Sequence, residues 1–300
     1  MSIQGKRILN WMYKNIKYSK QPETIEQARE NINNMAKING FSDELIIETV
    51  DTDLVNCKLV YASFPLEDKY IFYLHGGGYC MGSTESSLNL IGQIISASNC
   101  RVLSVDYSLA PEKPFPAALD DAEYAYLWLI NHKVAPENII IVGESAGGGL
   151  ALSLMLKLRD KSIGLPKAAV LLSPWTDMTE SGDSYKTCLD TDPFYNISSI
   201  ERKAAEMYCG NTDKNNSFIS PLFADLCALP DILIQVGTND VLYDDSTRLK
   251  QNLIKSGVNV KLRIYDGMWH VWHAFGDRLP EAGEAVNEIG EFIKDKFNII

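Results

Sequence analysis

Short apolar runs alternate with longer amphipathic stretches along most of the chain. Eight of these runs are rich in Val, Ile and Leu, and those in the middle of the chain are apolar at nearly every position. Continuous apolar runs of this length are typical of parallel strands that are covered on both faces. The pattern therefore predicts a mostly parallel, eight-stranded sheet. The runs begin near residues 45, 57, 69, 101, 138, 168, 231 and 260.

Helical patterns occupy the intervals between most of these strands. Each is long enough to cross from one parallel strand to the next, and alternating strands and helices indicate a doubly wound α/β fold. Two further helices, at 3–18 and 23–38, precede the first strand. The crossover helices are predicted at 85–98, 116–131, 146–160, 244–256 and 276–297.

One interval is too long for a simple crossover. More than fifty residues separate the sixth predicted strand from the seventh, and much of this stretch is polar. Such an excursion is typical of an inserted cap over one end of the sheet. We assign the inserted cap to 179–228, with a helix at 198–208. The sheet domain then comprises 45–178 and 229–300.

Composition excludes several classes of protein. The formal net charge of −11 argues against nucleic acid as a partner, because phosphate binding needs clustered cations. Six scattered cysteines without a CxxC motif argue against structural zinc and a disulfide framework. No segment resembles a signal peptide or a membrane span. We therefore expect a cytoplasmic protein with a small-molecule substrate, no stable membrane association and a possible homodimer.

The first helix departs from this acidic character. Its apolar positions recur at helical spacing, so the segment is a basic amphipathic helix. It could lie on a membrane surface, or it could pack its apolar stripe on its own protein. We expect the second arrangement. Before the first acidic residue, Glu23, the chain has the cations Lys6, Arg7, Lys14, Lys17 and Lys20.

A G-x-S-x-G motif lies at 143–147, between a predicted buried strand and a predicted helix. Ser145 is either an ordinary turn residue or a nucleophile, and the strand–turn–helix context favours a nucleophile elbow. Glycines two residues away on either side keep space clear for such a turn. The first N–H groups of the helix would then face the negative charge that develops beside Ser145.

A second glycine motif, HGGG at 75–78, also follows a predicted strand. Consecutive glycines allow backbone N–H groups to point into a cavity without obstruction by side chains. They could act as oxyanion donors together with the N–H of Ala146, and a flexible turn is the alternative. We expect His75 to hold this loop by hydrogen bonds rather than to transfer protons.

A serine nucleophile needs a base and a carboxylate that orients the base. Of the four histidines, His75 belongs to the glycine loop and His132 follows a polar helix end. His270 and His273, after the last strand, are the remaining candidates for the base. Asp240 follows the penultimate strand, at the edge of the sheet where open α/β folds bind ligands.

Other polar residues near these motifs have structural interpretations. We expect Asp106 and Tyr107 to fix loops, and Glu144 to form a hydrogen bond across the elbow rather than to contact substrate. Asp244 and Asp245 are expected to cap the helix that follows them.

Five ordered motifs resemble the hormone-sensitive-lipase-like branch of the α/β-hydrolases. They are HGGG, DYSLAPEKPFPAALDD, GESAG, SPWTDMT and HVWHAF, and the resemblance covers residue 69 to the C-terminus. It implies an α/β-hydrolase fold and favours His270 over His273, since the base directly follows the turn after the last strand. The implied catalytic residues are Ser145, Asp240 and His270, with the N–H groups of Gly76, Gly77 and Ala146 as oxyanion donors.

The resemblance implies a serine carboxylesterase that needs no cofactor or metal and hydrolyses short- to medium-chain acyl esters through an acyl-enzyme. It also implies that 45–178 and 229–300 form the catalytic domain, and that the N-terminal helices at 1–44 belong to the cap together with the insertion. The cap matches no family motif, so it does not indicate the substrate. An aryl-amide or formamide hydrolase with the same triad is the first alternative. A lipase with the basic helix as its lid is another, and a non-catalytic ligand-binding protein is a third.

Overall fold

All eight apolar runs form strands of a single sheet in the computed structural model, which describes residues 1–39, 45–195 and 203–299. The order across the sheet is β1-β2-β4-β3-β5-β6-β7-β8. Strand β2 runs antiparallel to both of its neighbours, β1 and β4, and all the other neighbouring pairs are parallel. The strands are β1 (Ile46–Asp51), β2 (Asn56–Tyr61), β3 (Tyr70–Leu74), β4 (Arg101–Asp106), β5 (Ile139–Glu144), β6 (Ala168–Leu172), β7 (Asp231–Gly237) and β8 (Val260–Tyr265).

Burial follows the position of each strand in this sheet. Every residue of β5 and β6 is buried, as their continuous apolar sequences predict. No residue of the edge strands β1 and β8 is fully buried, and these strands carry more polar residues. The predicted α/β-hydrolase fold is therefore confirmed.

The crossover helices lie close to their predicted positions. The helices are α1 (Ile3–Met12), α2 (Ile25–Asn39), α3 (Thr84–Ser98), α4 (Ala117–Asn131), α5 (Ala146–Asp160), α6 (Ser184–Thr187), α7 (Ala204–Cys209), α8 (Tyr243–Lys255) and α9 (Pro280–Phe297). The last helix was predicted to begin at residue 276. It begins later because a separate 3-10 segment, Trp272–Arg278, occupies the predicted start, and Gly276 inside that segment has a non-helical φ of 53°.

The helices form two layers that cover opposite faces of the sheet. Side chains of α3 and α9 pack with one set of alternate strand residues, including Ile71 and Val142. Side chains of α4, α5 and α8 pack with the other set, including Phe72 and Ile141. Because successive strand residues point to opposite faces, each middle strand contributes to both layers of core.

The N-terminal helix packs on its own protein. Leu9 and Met12 of α1 belong to a buried cluster with Trp269, Trp272 and Leu279. This is the arrangement we expected for the apolar stripe. Within the described ranges, no helix has both the length and the apolar character needed to cross a bilayer.

The domain boundaries proposed from the sequence stay a prediction. Residues 40–44, at the end of the N-terminal segment, lie outside the described residues. So do residues 196–202, which include the first part of the helix predicted at 198–208. The remainder of that helix is observed as α7.

A close approach between α5 and β3 fixes the start of α5. A Cβ added to Gly147 would lie 2.0 Å from the carbonyl oxygen of Leu74 and 2.5 Å from that of His75. Backbone atoms cannot move aside without shifting a strand, so this contact admits no side chain.

We predict that Gly147→Ala lowers the free energy of unfolding by about 1–3 kcal/mol, because the added methyl group overpacks the α5–β3 contact. Gly283→Ala in α9 is the matched control, since its Cβ would meet nothing within 4 Å. Removing a helical glycine there should stabilise the protein by about 0.5–1 kcal/mol. Urea denaturation measures both changes, and equal effects at the two positions would contradict this account.

Candidate active site

Ser145 lies at a strained turn between β5 and α5. Its φ of 53° and ψ of −121° belong to a region that non-glycine residues rarely adopt, at a cost on the order of 1–3 kcal/mol. Two backbone hydrogen bonds hold it there: its N–H donates to the carbonyl of Leu172 at 2.8 Å, and its carbonyl accepts from the N–H of Trp175 at 2.9 Å. Gly143 is required as well, since a Cβ there would lie 2.2 Å from the carbonyl oxygen of Gly147.

The structure brings Ser145, His270 and Asp240 together. Nε2 of His270 lies 2.9 Å from Oγ of Ser145, and Nδ1 lies 3.1 and 3.2 Å from the two carboxylate oxygens of Asp240. The three residues follow β5, β8 and β7, whose carboxyl ends meet at one edge of the sheet. Asp240 is fully buried and also accepts a hydrogen bond from the N–H of Leu242.

His273 lies in a different environment. It is buried, its Nε2 lies 3.0 Å from Oε1 of Gln235, and its ring is 3.9 Å from that of Trp272. Burial lowers the pKa of His273 to about 3. A histidine held neutral against Gln235 does not contact Ser145, so the structure agrees with the preference for His270 that the family resemblance implied.

The pKa of His270 reflects two opposing effects. Burial disfavours the charged imidazole, whereas attraction and hydrogen bonding by Asp240 favour it, as do the negative charges of Asp192 and Glu144. The attraction prevails and raises the pKa of His270 to about 9. This environment therefore stabilises an imidazolium, the form that a base adopts after it has taken a proton.

The glycine loop lies directly beside Ser145. A Cβ added to Gly76 would lie 3.3 Å from the Cβ of Ser145, and Gly77 has a φ of 111°. Among the described residues, neither Gly76 nor Gly77 donates its N–H to a protein acceptor. Ala146 is the first residue of α5, and the N–H groups of a first helical turn have no acceptor within the helix.

His75 and the residues after β4 hold this loop in place. The Tyr107 hydroxyl donates to the carbonyl of His75 at 2.7 Å, and the two rings stack with centroids 4.1 Å apart. Nδ1 of His75 lies 2.7 Å from the carbonyl oxygen of Gly76. Asp106 accepts hydrogen bonds from the N–H and hydroxyl of Thr84. These contacts agree with the structural roles expected for His75, Asp106 and Tyr107.

Glu144 precedes Ser145 and is buried. Its Oε1 accepts hydrogen bonds from the hydroxyl groups of Tyr73, at 2.8 Å, and Ser87, at 2.6 Å. Glu144 therefore has a hydrogen-bonding role, as expected, but its bonds connect the elbow with β3 and α3 rather than cross it from β5 to α5. The same residue also borders the active-site cavity.

The prediction that Asp244 and Asp245 cap α8 is wrong. Asp245 is buried, and its Oδ2 accepts from the N–H groups of Thr176 and Asp177 at 2.8 and 2.9 Å. Asp244 accepts from the N–H of Ser184. Asp245 therefore holds the loop after β6 and Asp244 binds the first N–H of α6, whereas α8 has no side-chain cap.

Sequence reasoning missed Asp192, in the segment that follows β6. Its carboxylate is fully buried and accepts from the N–H groups of Phe194, at 3.0 Å, and Val241, at 3.1 Å. Burial and the negative charge of Asp240 raise the pKa of Asp192 to about 7. No motif marks this residue, because only the fold brings it to Asp240.

A cation site is one possible use of this cluster. Donor atoms of Asp192, Asp240 and His270 lie within 4.8 Å of one another. However, these side chains are already hydrogen-bonded to Ser145 and to backbone N–H groups. Side chains that are hydrogen-bonded in this way fit a base with orienting carboxylates better than a metal ligand set.

A cavity of about 660 Å³ opens onto Ser145. Gly76, Gly77, Glu144 and His270 line its floor, whereas α1, α2 and the segment around Asp192 supply the walls. Much of the wall is apolar, with contributions from Trp11, Ile16, Ile32, Trp175, Phe194 and Phe275. The arrangement suits an uncharged molecule with an apolar part.

Known proteins are similar to this chain over most of its length. A family described by the α/β-hydrolase fold matches residues 71–274. An acetyl-hydrolase of Streptomyces hygroscopicus is 34% identical over 287 residues, which cover 95% of this chain and 93% of that protein.

Solved structures match just as extensively. The crystal structure of an esterase from the bacterial hormone-sensitive lipase family has 35% identity and a TM-score of 0.94, and the match covers 99% of each chain. The crystal structure of EstE5 soaked with p-nitrophenyl butyrate has 36% identity and a TM-score of 0.94, covering 99% of this chain and 100% of the other.

Proposed function

The chain belongs to the α/β-hydrolase fold family, as a carboxylic ester hydrolase of the bacterial hormone-sensitive-lipase type, and from this premise we propose that it hydrolyses short- to medium-chain acyl esters through Ser145, His270 and Asp240. The contact of 2.9 Å between His270 and the strained Ser145 carries this proposal. A buried carboxylate on the opposite nitrogen of the imidazole supports it further.

In the acylation step, Nε2 of His270 takes the hydroxyl proton of Ser145 while Oγ attacks the ester carbonyl. The carbonyl oxygen becomes an oxyanion, to which the N–H groups of Gly76, Gly77 and Ala146 donate. Removal of one such donor costs on the order of 3 kcal/mol of transition-state stabilisation. His270 then protonates the leaving alcohol, and an acyl group remains on Ser145.

In the second step a water molecule takes the place of the alcohol. His270 accepts a proton from the water, hydroxide attacks the acyl carbonyl, and Ser145 leaves with the proton that His270 returns. Asp240 holds the imidazole with Nδ1 protonated and stabilises its charged form in both steps. The products are a carboxylic acid and the regenerated enzyme.

The cavity supports uncharged esters of limited size as substrates. Its floor contains Glu144, and Asp192 borders it, so an anionic substrate would be repelled. The walls from α1, α2 and the segment after β6 support the assignment of these regions to a cap. A cavity of about 660 Å³ is within the range of ordinary small-molecule sites, so it accommodates short and medium chains.

We predict that Ser145→Ala reduces p-nitrophenyl butyrate hydrolysis by at least a thousandfold, because the variant lacks the atom that becomes acylated. A fluorophosphonate probe should label the wild-type protein at Ser145 and leave the variant unlabelled. Steady-state kinetics and mass spectrometry of the labelled peptide measure the two outcomes. Full turnover by the variant would contradict the proposal.

The two histidines provide a matched control. His270→Gln should lose activity to a similar degree, whereas His273→Gln should retain the base and lose mainly stability, since His273 contacts Gln235 in the core.

An aryl amide assayed beside the ester tests the alternative activity on the same triad. If kcat/KM is higher for the amide than for the ester, the proposed ester hydrolysis is wrong and amide hydrolysis is the better assignment.

The pH dependence follows from the protonation of His270. The imidazole can accept a proton only when it is neutral, and its pKa is about 9. We therefore predict that kcat/KM rises with pH up to about 9 and falls about tenfold for each pH unit below it. Near pH 7 the fall of kcat/KM with decreasing pH should become shallower. Asp192 becomes protonated there, so it no longer raises the pKa of His270, and a larger fraction of the imidazole stays neutral.

Asp192→Asn tests the contribution of this second carboxylate. With the charge removed, the imidazolium is less favoured, so the acid limb of the kcat/KM profile should move to lower pH and lose its shallow region. Asp53→Asn is a matched control at an exposed turn, where the same substitution should leave the profile unchanged. An unchanged acid limb in Asp192→Asn would show that Asp192 has only a structural role.

A further inference from the structure

The N-terminal helical segment has two faces, and one of them packs into the interior of the protein. Leu9 and Met12 on the inner face are buried, and Lys17 donates to the carbonyl groups of Asp192 and Tyr195. The opposite side, which we call the outer face, follows a spacing of three or four residues and so lies along one side of a helix. The outer face consists of Ile3, Arg7 and Trp11 of α1, Lys14 of the π-helical turn Tyr13–Lys17 that continues α1, and Tyr18 directly after that turn.

Large apolar side chains on the outer face are unusually exposed. The exposed fractions are 70% for Ile3, 50% for Trp11 and 73% for Tyr18. Tryptophan and tyrosine are enriched where proteins meet the interface between lipid and water. These three side chains therefore provide apolar and interfacial groups that the packing of α1 does not require.

The charge of this face is opposite to that of the whole protein. Arg7 and Lys14 lie on it and Lys6 lies beside it, and within the described part of the chain none of the three forms an ion pair. No acidic residue precedes Glu23, although the net charge of the chain is −11. Cations interspersed with apolar side chains complement an anionic lipid surface. A purely polar anion would leave the apolar members of the face without partners.

The outer face also adjoins the mouth of the active-site cavity. Trp11 belongs both to the outer face and to the lining of the cavity that contains Ser145, and Lys20 borders the same opening. A surface that covers the outer face therefore lies next to the opening through which a substrate enters.

We propose that the outer face docks on an anionic lipid surface and presents the cavity mouth to uncharged esters dissolved in that surface. The delivery of esters from the lipid surface to the cavity rests on the proposed ester hydrolysis, whereas the binding of the outer face to lipid does not. Each cation near such a surface contributes about fivefold to partitioning. A face with few cations therefore binds reversibly, which is compatible with the expected lack of stable membrane association.

The test is flotation of the full-length protein with phosphatidylcholine vesicles that contain phosphatidylglycerol, compared with vesicles of phosphatidylcholine alone. We expect flotation with the anionic vesicles only, and its loss as salt is added, because salt screens exposed charges. Arg7→Gln/Lys14→Gln should weaken partitioning about 25-fold. The same double variant should hydrolyse soluble p-nitrophenyl butyrate at the wild-type rate.

Lys133→Gln/Lys255→Gln is the matched control, because it removes two exposed cations from other parts of the surface and should float like the wild type. Ile3→Ser should also reduce flotation, since it removes an apolar contact without a change of charge. Equal flotation of wild type and Arg7→Gln/Lys14→Gln would overturn the proposal, as would the absence of wild-type flotation.

A second copy of the chain is the other occupant that the experiment can detect. If sedimentation velocity shows a dimer that Ile3→Ser dissociates, and vesicles do not bind, the outer face is a contact between copies and the lipid proposal is wrong.

Ser145→Ala separates the docking proposal from the proposed function, because this variant should float normally even though it does not hydrolyse ester. Vesicle binding without ester hydrolysis by the wild type would refute the proposed function alone.

Discussion

The unfavourable backbone conformation of Ser145 is the constraint on which the site depends. A positive φ turns the side chain out of the sheet at the end of β5, where the hydroxyl is accessible from the cavity. Hydrogen bonds to Leu172 and Trp175 stabilise this conformation, and Gly143 and Gly147 leave the space that it needs. Each of these contacts belongs to a different element, so the strain at one residue is supported by the packing of β5, β6 and α5 together. A serine in a relaxed turn would have no such requirement for glycine.

The same sheet edge supplies the groups that make this hydroxyl reactive. Asp240 and His270 follow β7 and β8, so their meeting with Ser145 is a consequence of parallel strand order rather than of proximity in sequence. Burial then strengthens the attraction between the carboxylate and the imidazole, because less solvent screens their charges. The buried Asp192 adds a second negative charge, and its backbone donors keep that charge in a fixed position. The site thus favours the imidazolium through geometry that exists before substrate binds.

Local patterns in the sequence predicted the strands, the crossover helices and the two glycine motifs, because each depends on periodicity or on the steric needs of a turn. Choosing His270 over His273 required resemblance to a family, since both follow the same strand. Asp192 and Asp245 show the limit of sequence reasoning. Both are buried carboxylates whose partners are backbone N–H groups distant in sequence, and nothing in the adjacent residues distinguishes them from exposed aspartates. The error at Asp245 arose because an aspartate at the start of a helix ordinarily caps it.

The N-terminal helix is connected to the catalytic groups through its inner face. The ammonium of Lys17 binds the carbonyl groups of Asp192 and Tyr195, while the carboxylate of Asp192 binds the N–H of Val241, the residue after Asp240. A motion that lifts this part of the chain must break these charge-assisted hydrogen bonds and leave the carbonyl groups of Asp192 and Tyr195 without this donor, which is costly. These bonds therefore hold the N-terminal segment against the segment around Asp192. The outer face keeps a constant orientation relative to Ser145, and a surface bound there faces the cavity mouth without any rearrangement of the catalytic residues.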